Sequence, residues 1–259
     1  MISKIKKILN KKNKSKIICL TSYSKNISEA IDPFTDIILV GDSLGSVLYN
    51  YSTTRKVTLN QMIEHSKSVR LGIKNSLMVV DMPYKTYRNK KIALKNAKKI
   101  LRETKCDAVK LEGGSLIINI IEHLVKNKIP VMGHLGILPQ SIKGKFKFKG
   151  KKIKERNQIF KDAKSLQDKG VFSIVLECVE TTLAKEITKL LKIPTIGIGS
   201  SQNCDGQVLV TDDLIGLNET KTKFVKKFGR VKNNISQAAK NFKKKVLSKK
   251  YPTKKYSYN

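Results

Sequence analysis

The sequence has few aromatic residues and little arginine, and both shortages limit what its charge can do. It contains no Trp, aromatic residues make up 6% of the 259 positions, and only six of the 53 basic residues are Arg. The formal net charge is nevertheless +33, because Lys and Arg outnumber the 20 acidic residues. Nucleic-acid recognition relies on Arg and on stacking aromatics, whereas here the basic residues are mostly Lys and are spread along the chain. This excess of Lys, together with many Ile and Asn, is typical of a biased genome composition, so we expect no specific nucleic-acid partner.

Cysteine and long apolar runs are also scarce. The four cysteines form no CxxC pair, which excludes a local zinc or redox motif, and scattered single cysteines suit a reducing cytoplasm. No apolar run approaches the roughly 18 residues that a membrane span needs. The basic N-terminal segment is not followed by the apolar stretch of a signal peptide. We therefore expect a cytoplasmic protein without membrane association.

What the chain does contain is a regular alternation of short apolar runs with helical patterns. The runs are rich in Val, Ile and Leu with little polar alternation, which is typical of strands covered by helices. The predicted strands are Lys16–Ser22, Asp36–Asp42, Leu77–Pro83, Ala108–Gly113, Val131–Gly136, Ser173–Val179, Pro194–Ser200 and Gln207–Thr211.

Several segments between these runs carry helix signals. Thr58 and Gln61 have the spacing of a capping box, and Gly72 is a plausible end for the helix that they begin. Ser115 is the predicted N-cap of a helix that ends before the fifth strand. Other predicted helices cover residues 2–9, Gln158–Lys169 and Thr181–Leu191.

Eight strands with helices between them predict a parallel (β/α)8 TIM barrel. An open doubly wound sheet is disfavoured, because no G-x-G-x-x-G follows the first strand and polar residues lie at many strand ends. We predict one catalytic domain over residues 1–259, with an extra N-terminal helix and a C-terminal helical tail that is polar from about residue 243. The Lys-rich segment Ile142–Lys154 is predicted to be a loop, which could form a lid over the barrel mouth.

Acidic residues follow four of the predicted strands. They are Asp42, Asp81, Glu112 and Glu177, at the ends of strands two, three, four and six. In a barrel the C-terminal ends of all strands surround one mouth. Any one of these acids could be a helix cap or a surface residue, but four at equivalent positions predict a shared site.

Converging carboxylates without a His or Cys cluster predict a hard cation. Mg²⁺ is typically held by one or two carboxylates, water and a chelating substrate, and Asp42 and Asp81 are the best ligand pair. A 2-oxo acid could chelate this metal through its keto and carboxylate oxygens. The metal would then act as a Lewis acid and stabilise the enolate formed next to the ketone.

Three other polar residues belong to the same predicted mouth. Lys110 points to the same face as Glu112, and it pairs either with that acid or with an anionic ligand. His134 is either a hydrogen-bonded structural residue or a contact for the substrate carboxylate. Ser43 can offer its hydroxyl and its backbone N–H to a ligand.

Seven motifs together resemble the ketopantoate hydroxymethyltransferase family. They run in the family's order over most of the chain, and their combination is far more specific than any one of them. The motifs are VGDSLG (40–45), MVVDMPY (78–84), VKLEGG (109–114), VMGHLGILPQS (131–141), VLECV (175–179), IPTIGIGS (193–200) and DGQVLV (205–210).

The resemblance implies a specific reaction and a set of site residues. The family transfers a hydroxymethyl group from 5,10-methylenetetrahydrofolate to 3-methyl-2-oxobutanoate through an enolate stabilised by Mg²⁺, giving 2-dehydropantoate for pantothenate synthesis. It is a cytoplasmic barrel, usually a homodecamer, with one Mg²⁺ per subunit. By resemblance Glu177 is the proton acceptor. The implied metal ligands are Asp42, Asp81 and Glu112, and the implied substrate contacts are Asp42, Ser43, Asp81, Lys110 and His134.

The sequence departs from the family pattern at two positions, and a second enzyme class with the same fold is an alternative hypothesis. Ser201 and Lys145 stand where the family usually has Gly, so lid motion and folate affinity are in question. The alternative hypothesis is a Mg²⁺-dependent lyase or mutase of the phosphoenolpyruvate mutase/isocitrate lyase type. It expects a nucleophilic-cysteine motif that the sequence lacks, and Cys178, next to Glu177 on the predicted strand, should face the other way.

Overall fold

The computed structural model describes residues 2–141, 147–220 and 222–258. The chain forms two compact units, Met1–Val210 and Thr211–Asn259. A single catalytic domain over residues 1–259 stays a prediction. The predicted loop Ile142–Lys154 is described from residue 147 onward, and residues 142–146 lie outside the described part of the chain.

The first unit is a closed barrel of eight parallel strands in sequence order, in which the last strand pairs with the first. The predicted (β/α)8 barrel is therefore confirmed. The strands are β1 Ile17–Thr21, β2 Ile37–Val40, β3 Leu77–Asp81, β4 Ala108–Glu112, β5 Val131–Gly136, β6 Ser173–Glu177, β7 Thr195–Ile198 and β8 Gly206–Leu209.

Helices connect successive strands from β1 to β7 and cover the outside of the barrel, whereas β8 follows β7 through the described residues 199–205 without a helix between them. In the described part of the chain every helix is too short or too polar to cross a membrane. The helices of the first unit are α1 Ile2–Asn10, α2 Lys25–Ile31, α3 Leu44–Tyr49, α4 Leu59–Gly72, α5 Lys90–Thr104, α6 Ile118–Lys126, α7 Ile153–Asp168 and α8 Thr181–Leu190, with 3-10 turns at Asp32–Phe34, Thr54–Lys56 and Ser115–Ile117.

The capping box at the start of α4 is confirmed. Thr58 Oγ1 accepts the backbone N–H of Gln61 at 3.2 Å, and Gln61 Oε1 accepts the backbone N–H of Thr58 at 2.9 Å. These bonds satisfy two backbone donors that a helix start leaves without partners. The helix ends at Gly72, as predicted.

The prediction for Ser115 was wrong. Ser115 begins a 3-10 turn and its side chain caps no helix; its backbone N–H instead donates to Asp162 Oδ1 at 3.1 Å. The helix that follows begins at Ile118. The helix predicted from Gln158 begins earlier, at Ile153, so the last two residues of the predicted loop are helical.

Two apolar clusters lie on the two sides of the barrel wall. One fills the inside of the barrel, and the other lies between the strands and the surrounding helices. Side chains alternate between them because successive residues of a strand face opposite sides. On β3, Leu77 and Val79 belong to the inner cluster, and Asp81 continues the same inward series. On β4 the series runs from Ala108 to Lys110. The inner core therefore becomes polar at the C-terminal ends of the strands.

The second unit carries the C-terminal helices. Its helices are α9 Thr211–Leu214 and α10 Val231–Leu247, followed by a 3-10 turn at Lys254–Tyr256. α10 buries none of its residues, and its exposed side chains include Ile235 and Phe242. The predicted helical tail is thus present.

Candidate active site

The strand register brings the predicted site residues together in pairs. Asp81 lies beside Lys110 across β3 and β4. Glu112 lies beside His134 across β4 and β5. Glu177 ends β6 beside Gly136 of β5. Because all strands are parallel, these side chains meet at the C-terminal mouth of the barrel.

Asp42 and Ser43 reach this mouth from a turn and not from a strand. β2 ends at Val40, two residues before the predicted end, because the backbone N–H of Asp42 leaves the sheet and donates to Asp81 Oδ2 at 3.1 Å. Ser43 follows at the start of α3, where its hydroxyl lies 2.8 Å from Tyr23 Oη. Asp42, predicted at the end of β2, thus lies in a turn after that strand, and its backbone is hydrogen-bonded to Asp81 at the end of the neighbouring β3.

Lys110 is a buried cation at the centre of the cluster. Its Nζ lies 3.1 Å from Asp81 Oδ1 and 3.2 Å from His134 Nδ1. Burial by itself lowers the pKa of a lysine, but the charges of Asp81, Glu112 and Asp42 outweigh it and raise the pKa of Lys110. The side chain is therefore an ammonium. Its ion-pair partner is Asp81, not the Glu112 considered from sequence.

His134 is neutral, and its tautomer follows from its neighbour. An ammonium only donates hydrogen bonds, so Nδ1 must be the acceptor from Lys110 and the proton must be on Nε2. Burial and the adjacent Lys110 charge lower the pKa of His134. Nε2 lies 3.2 Å from Glu177 Oε2, but the contact lacks hydrogen-bond geometry, so Nε2 has no hydrogen-bond partner in the described residues. His134 thus offers an unsatisfied N–H beside the predicted proton acceptor.

Two of the carboxylates carry strongly perturbed acidities. Burial, and after it the charge of Asp81, raises the pKa of Asp42 to about 7. Burial and the charge of Asp42 raise the pKa of Glu112 well above its usual value. Three buried carboxylates beside one ammonium leave an excess of negative charge, which favours the binding of a cation or of protons.

Gln140, which was not among the site residues predicted from sequence, connects two of these acids. Its Nε2 donates to Asp42 Oδ2 at 2.7 Å, and its backbone N–H donates to Glu112 Oε2 at 3.0 Å. Tyr87 Oη donates to Gln140 Oε1 at 2.5 Å, and Arg55 Nε donates to Gln140 O at 2.8 Å. The residue lies inside the motif VMGHLGILPQS, which was the available signal.

The donor set fits Mg²⁺. Asp42 Oδ2 and Asp81 Oδ2 are already held by protein hydrogen-bond donors, whereas Asp81 Oδ1 is buried and faces the ammonium of Lys110 at 3.1 Å. No group of three or more His, Cys, Asp or Glu side chains in the described residues is arranged around one point as a metal cage. Mg²⁺ does not require one, since it usually takes one or two carboxylates and completes its shell with water and substrate.

Cys178 lies next to Glu177 but outside the strand, contrary to the sequence prediction that both lie on it. Its backbone is left-handed with a φ of 48°. Its N–H donates to Ile198 O at 2.8 Å, and its carbonyl accepts Lys149 N–H at 2.8 Å. Burial and the Glu177 charge raise the pKa of the Cys178 thiol to about 11. A thiol of this kind is a poor nucleophile at neutral pH.

Solved structures of other enzymes share the fold. A 2,3-dimethylmalate lyase of the phosphoenolpyruvate mutase/isocitrate lyase superfamily matches with a TM-score of 0.61 and 12% identity, over 80% of this chain and 77% of the other. A phosphoenolpyruvate phosphomutase from Streptomyces platensis subsp. rosaceus matches with a TM-score of 0.64 and 8% identity, over 95% and 87%. At such identities the likeness concerns the fold alone.

Sequence relatives are much closer. The family model described as ketopantoate hydroxymethyltransferase matches residues 2–254. The 3-methyl-2-oxobutanoate hydroxymethyltransferase of Pelagibacter ubique (strain HTCC1062) is 67% identical over 256 residues, which is 98% of this chain and 99% of the relative. The enzyme of the same name from Anaplasma marginale (strain St. Maries) is 43% identical over 261 residues, 100% of this chain and 94% of the relative. The chain therefore belongs to the ketopantoate hydroxymethyltransferase family, whose members are transferases of pantothenate synthesis.

Proposed function

We propose that the chain transfers a hydroxymethyl group from 5,10-methylenetetrahydrofolate to 3-methyl-2-oxobutanoate and releases 2-dehydropantoate. One observation carries the proposal beyond family membership. Glu177 Oε2 lies 3.2 Å from the neutral His134, and His134 in turn contacts the buried ammonium of Lys110. A general base, a neutral hydrogen-bond donor and a fixed positive charge thus lie side by side at the barrel mouth.

Glu177 accepts the proton from C3 of the oxo acid. Its side chain is 20% exposed, whereas that of His134 is 3% exposed, so Glu177 is the member of this pair that a substrate reaches. The electron pair of the broken C–H bond then forms the new carbon–carbon bond to the one-carbon unit. Water supplies the hydroxyl oxygen and tetrahydrofolate leaves, so that atoms and electrons balance.

The cation and the hydroxyl hold the substrate before this step. Lys110 uses two of its donors on Asp81 and His134, and its third faces an anionic substrate oxygen. Ser43 contributes its hydroxyl from the turn after β2. Asp42 and Asp81 would hold Mg²⁺, with Glu112 as a further ligand or as a neighbour of the metal. Mg²⁺ supplies Lewis-acid activation of the keto group when it is bound.

One incubation tests the function. Purified protein with 3-methyl-2-oxobutanoate, methylenetetrahydrofolate and Mg²⁺ should form 2-dehydropantoate. With the oxo acid alone in D₂O it should exchange the C3 proton. Absence of both signals would refute the proposal. The variant Asp81→Ala should keep the fold and lose both activity and metal dependence, and unchanged turnover would remove Asp81 from the site.

The family resemblance also supports an assembly and a location. We expect a cytoplasmic homodecamer with one Mg²⁺ per subunit. Analytical ultracentrifugation measures the assembly directly, and a monomer at micromolar concentration would contradict that expectation.

A further inference from the structure

A cavity of about 540 Å³ opens beside the site, and none of the roles above uses it. Its inner wall contains Glu112 and Gln140, so it adjoins the carboxylate cluster. Its other walls come from the β3–α5 loop, the 3-10 turn after β4, and α6 and α7. The volume lies in the ordinary range for small-molecule sites, about 300–1,000 Å³. It is far larger than an oxo acid of eight non-hydrogen atoms requires.

A buried carboxylate forms part of the cavity wall. Asp162 of α7 is 8% exposed, and its described hydrogen bonds both reach Oδ1, from Ser115 N at 3.1 Å and from Gln158 Nε2 at 2.9 Å. Oδ2 lies against the backbone of Gly114, where an added Cβ would be only 2.1 Å away. The carboxylate is thus fixed in orientation by two donors on Oδ1, and no described hydrogen bond reaches Oδ2.

Much of the remaining wall is apolar or aromatic. Ile117, Ile120 and Leu138 line the cavity together with the rings of Tyr84 and Tyr87. This is the environment that an aromatic heterocycle prefers, because ring faces pack on apolar and aromatic side chains.

The outer rim is positively charged. Lys85 and Arg88, both exposed, line the cavity from the β3–α5 loop. Lys85 Nζ lies 5.5 Å from the centre of the Tyr84 ring, which keeps this cation at the rim. The lining of the cavity therefore combines a carboxylate, apolar and aromatic walls, and two cations.

We propose that this cavity binds the one-carbon donor, with its pteridine ring against Asp162 and its glutamate tail at Lys85 and Arg88. The amino-pyrimidine edge of a pteridine presents adjacent N–H donors, which a carboxylate accepts. The glutamate tail presents carboxylates, which the two cations attract. The inference rests on the proposed function, since it concerns where that reaction takes its donor.

The variant Asp162→Asn isolates the pteridine contact. Its amide oxygen can still accept from Ser115 and Gln158, but its NH₂ group then faces the ligand's own donors. We expect the KM for methylenetetrahydrofolate and the Kd for tetrahydrofolate to rise at least about tenfold, the usual cost of one hydrogen bond to a charged group. The exchange of the C3 proton of 3-methyl-2-oxobutanoate into D₂O, measured without folate, should stay within about twofold of wild type.

Asp168→Asn is the matched control, because it neutralises an exposed acid at the end of the same helix. It should change none of these quantities. A second pair of variants tests the rim: Lys85→Ala with Arg88→Ala should raise the donor KM in a salt-dependent way, whereas Arg102→Ala on the exposed surface of α5 should not.

The readouts separate failure of this inference from failure of the proposed function. Unchanged folate binding in Asp162→Asn would overturn the inference while C3 exchange still supported the reaction. Equal losses of folate binding and of C3 exchange would assign Asp162 a structural role and also overturn it. Absence of exchange and product in the wild type would refute the proposed function. Even then, comparing the Kd for tetrahydrofolate of the wild type and of Asp162→Asn would test whether the cavity binds the folate.

Discussion

Buried charges occur at both ends of the barrel, but their partners differ. At the N-terminal ends of the strands, Asp205 accepts Lys12 Nζ and the backbone N–H of Thr195, both at 2.8 Å. Asp32 accepts the backbone N–H groups of three successive residues, Lys74, Asn75 and Ser76. Burial alone would raise the pKa of Asp32, but these hydrogen bonds outweigh it and the pKa lies below its usual value.

At the C-terminal ends the balance is reversed. Burial and mutual repulsion raise the pKa values of Asp42 and Glu112. Asp81 Oδ1 is ion-paired with Lys110 at 3.1 Å, and His134 Nε2 is buried without a hydrogen-bond partner in the described residues. At the N-terminal ends the buried charges are matched by protein donors and stabilise the fold. At the C-terminal ends an excess of buried negative charge remains, which destabilises the protein unless a cation or protons bind it.

The largest expected effect is on catalysis. Replacing the acceptor carboxylate in Glu177→Gln removes the base but keeps the shape of the side chain. We expect kcat to fall by about 10²–10⁴, the usual contribution of general-base catalysis, with little change in the KM for the oxo acid. Steady-state kinetics and C3 exchange measure this. Equal losses in kcat and in substrate affinity would argue that Glu177 binds substrate without carrying the proton.

The next effect is on stability at the opposite end of the barrel. Asp205→Asn leaves the buried Lys12 without its ionic partner, so the free energy of unfolding should fall by about 3 kcal/mol. Turnover per folded molecule should not change. Urea unfolding provides the measurement, with exposed Asp168→Asn as a control expected within about 0.5 kcal/mol of wild type. A loss of turnover at unchanged stability would contradict the division between the two ends.

Gln140 tests how the C-terminal carboxylates are positioned. Gln140→Ala removes the donor that fixes Asp42, so we expect Mg²⁺ affinity to weaken by about 10–100-fold, as for other residues that orient metal ligands. Calorimetric titration of Mg²⁺ in the presence of the oxo acid measures the change. Gln237→Ala on the exposed helix α10 is the control. Unchanged Mg²⁺ affinity would mean that Asp42 is held without Gln140.

The smallest expected effect is a pH dependence. Asp42, whose pKa is about 7, must lose its proton to bind a metal, so Mg²⁺ affinity should fall about tenfold per unit as the pH drops below 7. The same titration at pH 6, 7 and 8 measures this. In Asp42→Asn the affinity should be weaker, and its dependence on pH in this range should be smaller. An affinity that stays constant from pH 6 to 8 would remove Asp42 from the metal site.

The sequence predicted the barrel and the main acids because both depend on local patterns. Apolar runs predicted all eight strands to within a few residues, and an inward period of two places Lys110 and Glu112 on one face. The helix α5 was not predicted, since its many Lys residues obscure the spacing of Ala93, Ala97 and Ile100, which are its buried face.

The contacts of Gln140 and Cys178 could not be predicted in the same way. Gln140 belongs to the segment after β5, and its role depends on how that segment returns over β2 and β4 to reach Asp42. Cys178 departs from the strand because its left-handed backbone lets its N–H and carbonyl bond to Ile198 and Lys149. Both are tertiary arrangements between distant parts of the chain, which no local pattern records.

The most direct test of the difference between the two ends is the unfolding free energy of Asp42→Asn without metal. A folded-state pKa raised above the unfolded value means that stability is full below about pH 4 and is lost as the pH rises through about 7. Removing this charge should therefore leave the metal-free protein at least as stable as wild type at pH 8, with a gain on the order of 4 kcal/mol, and the gain should disappear near pH 4. Activity should be lost. If Asp42→Asn were less stable than wild type at pH 8, as Asp205→Asn is expected to be, the charges at the C-terminal end would be serving the fold and the account would be wrong.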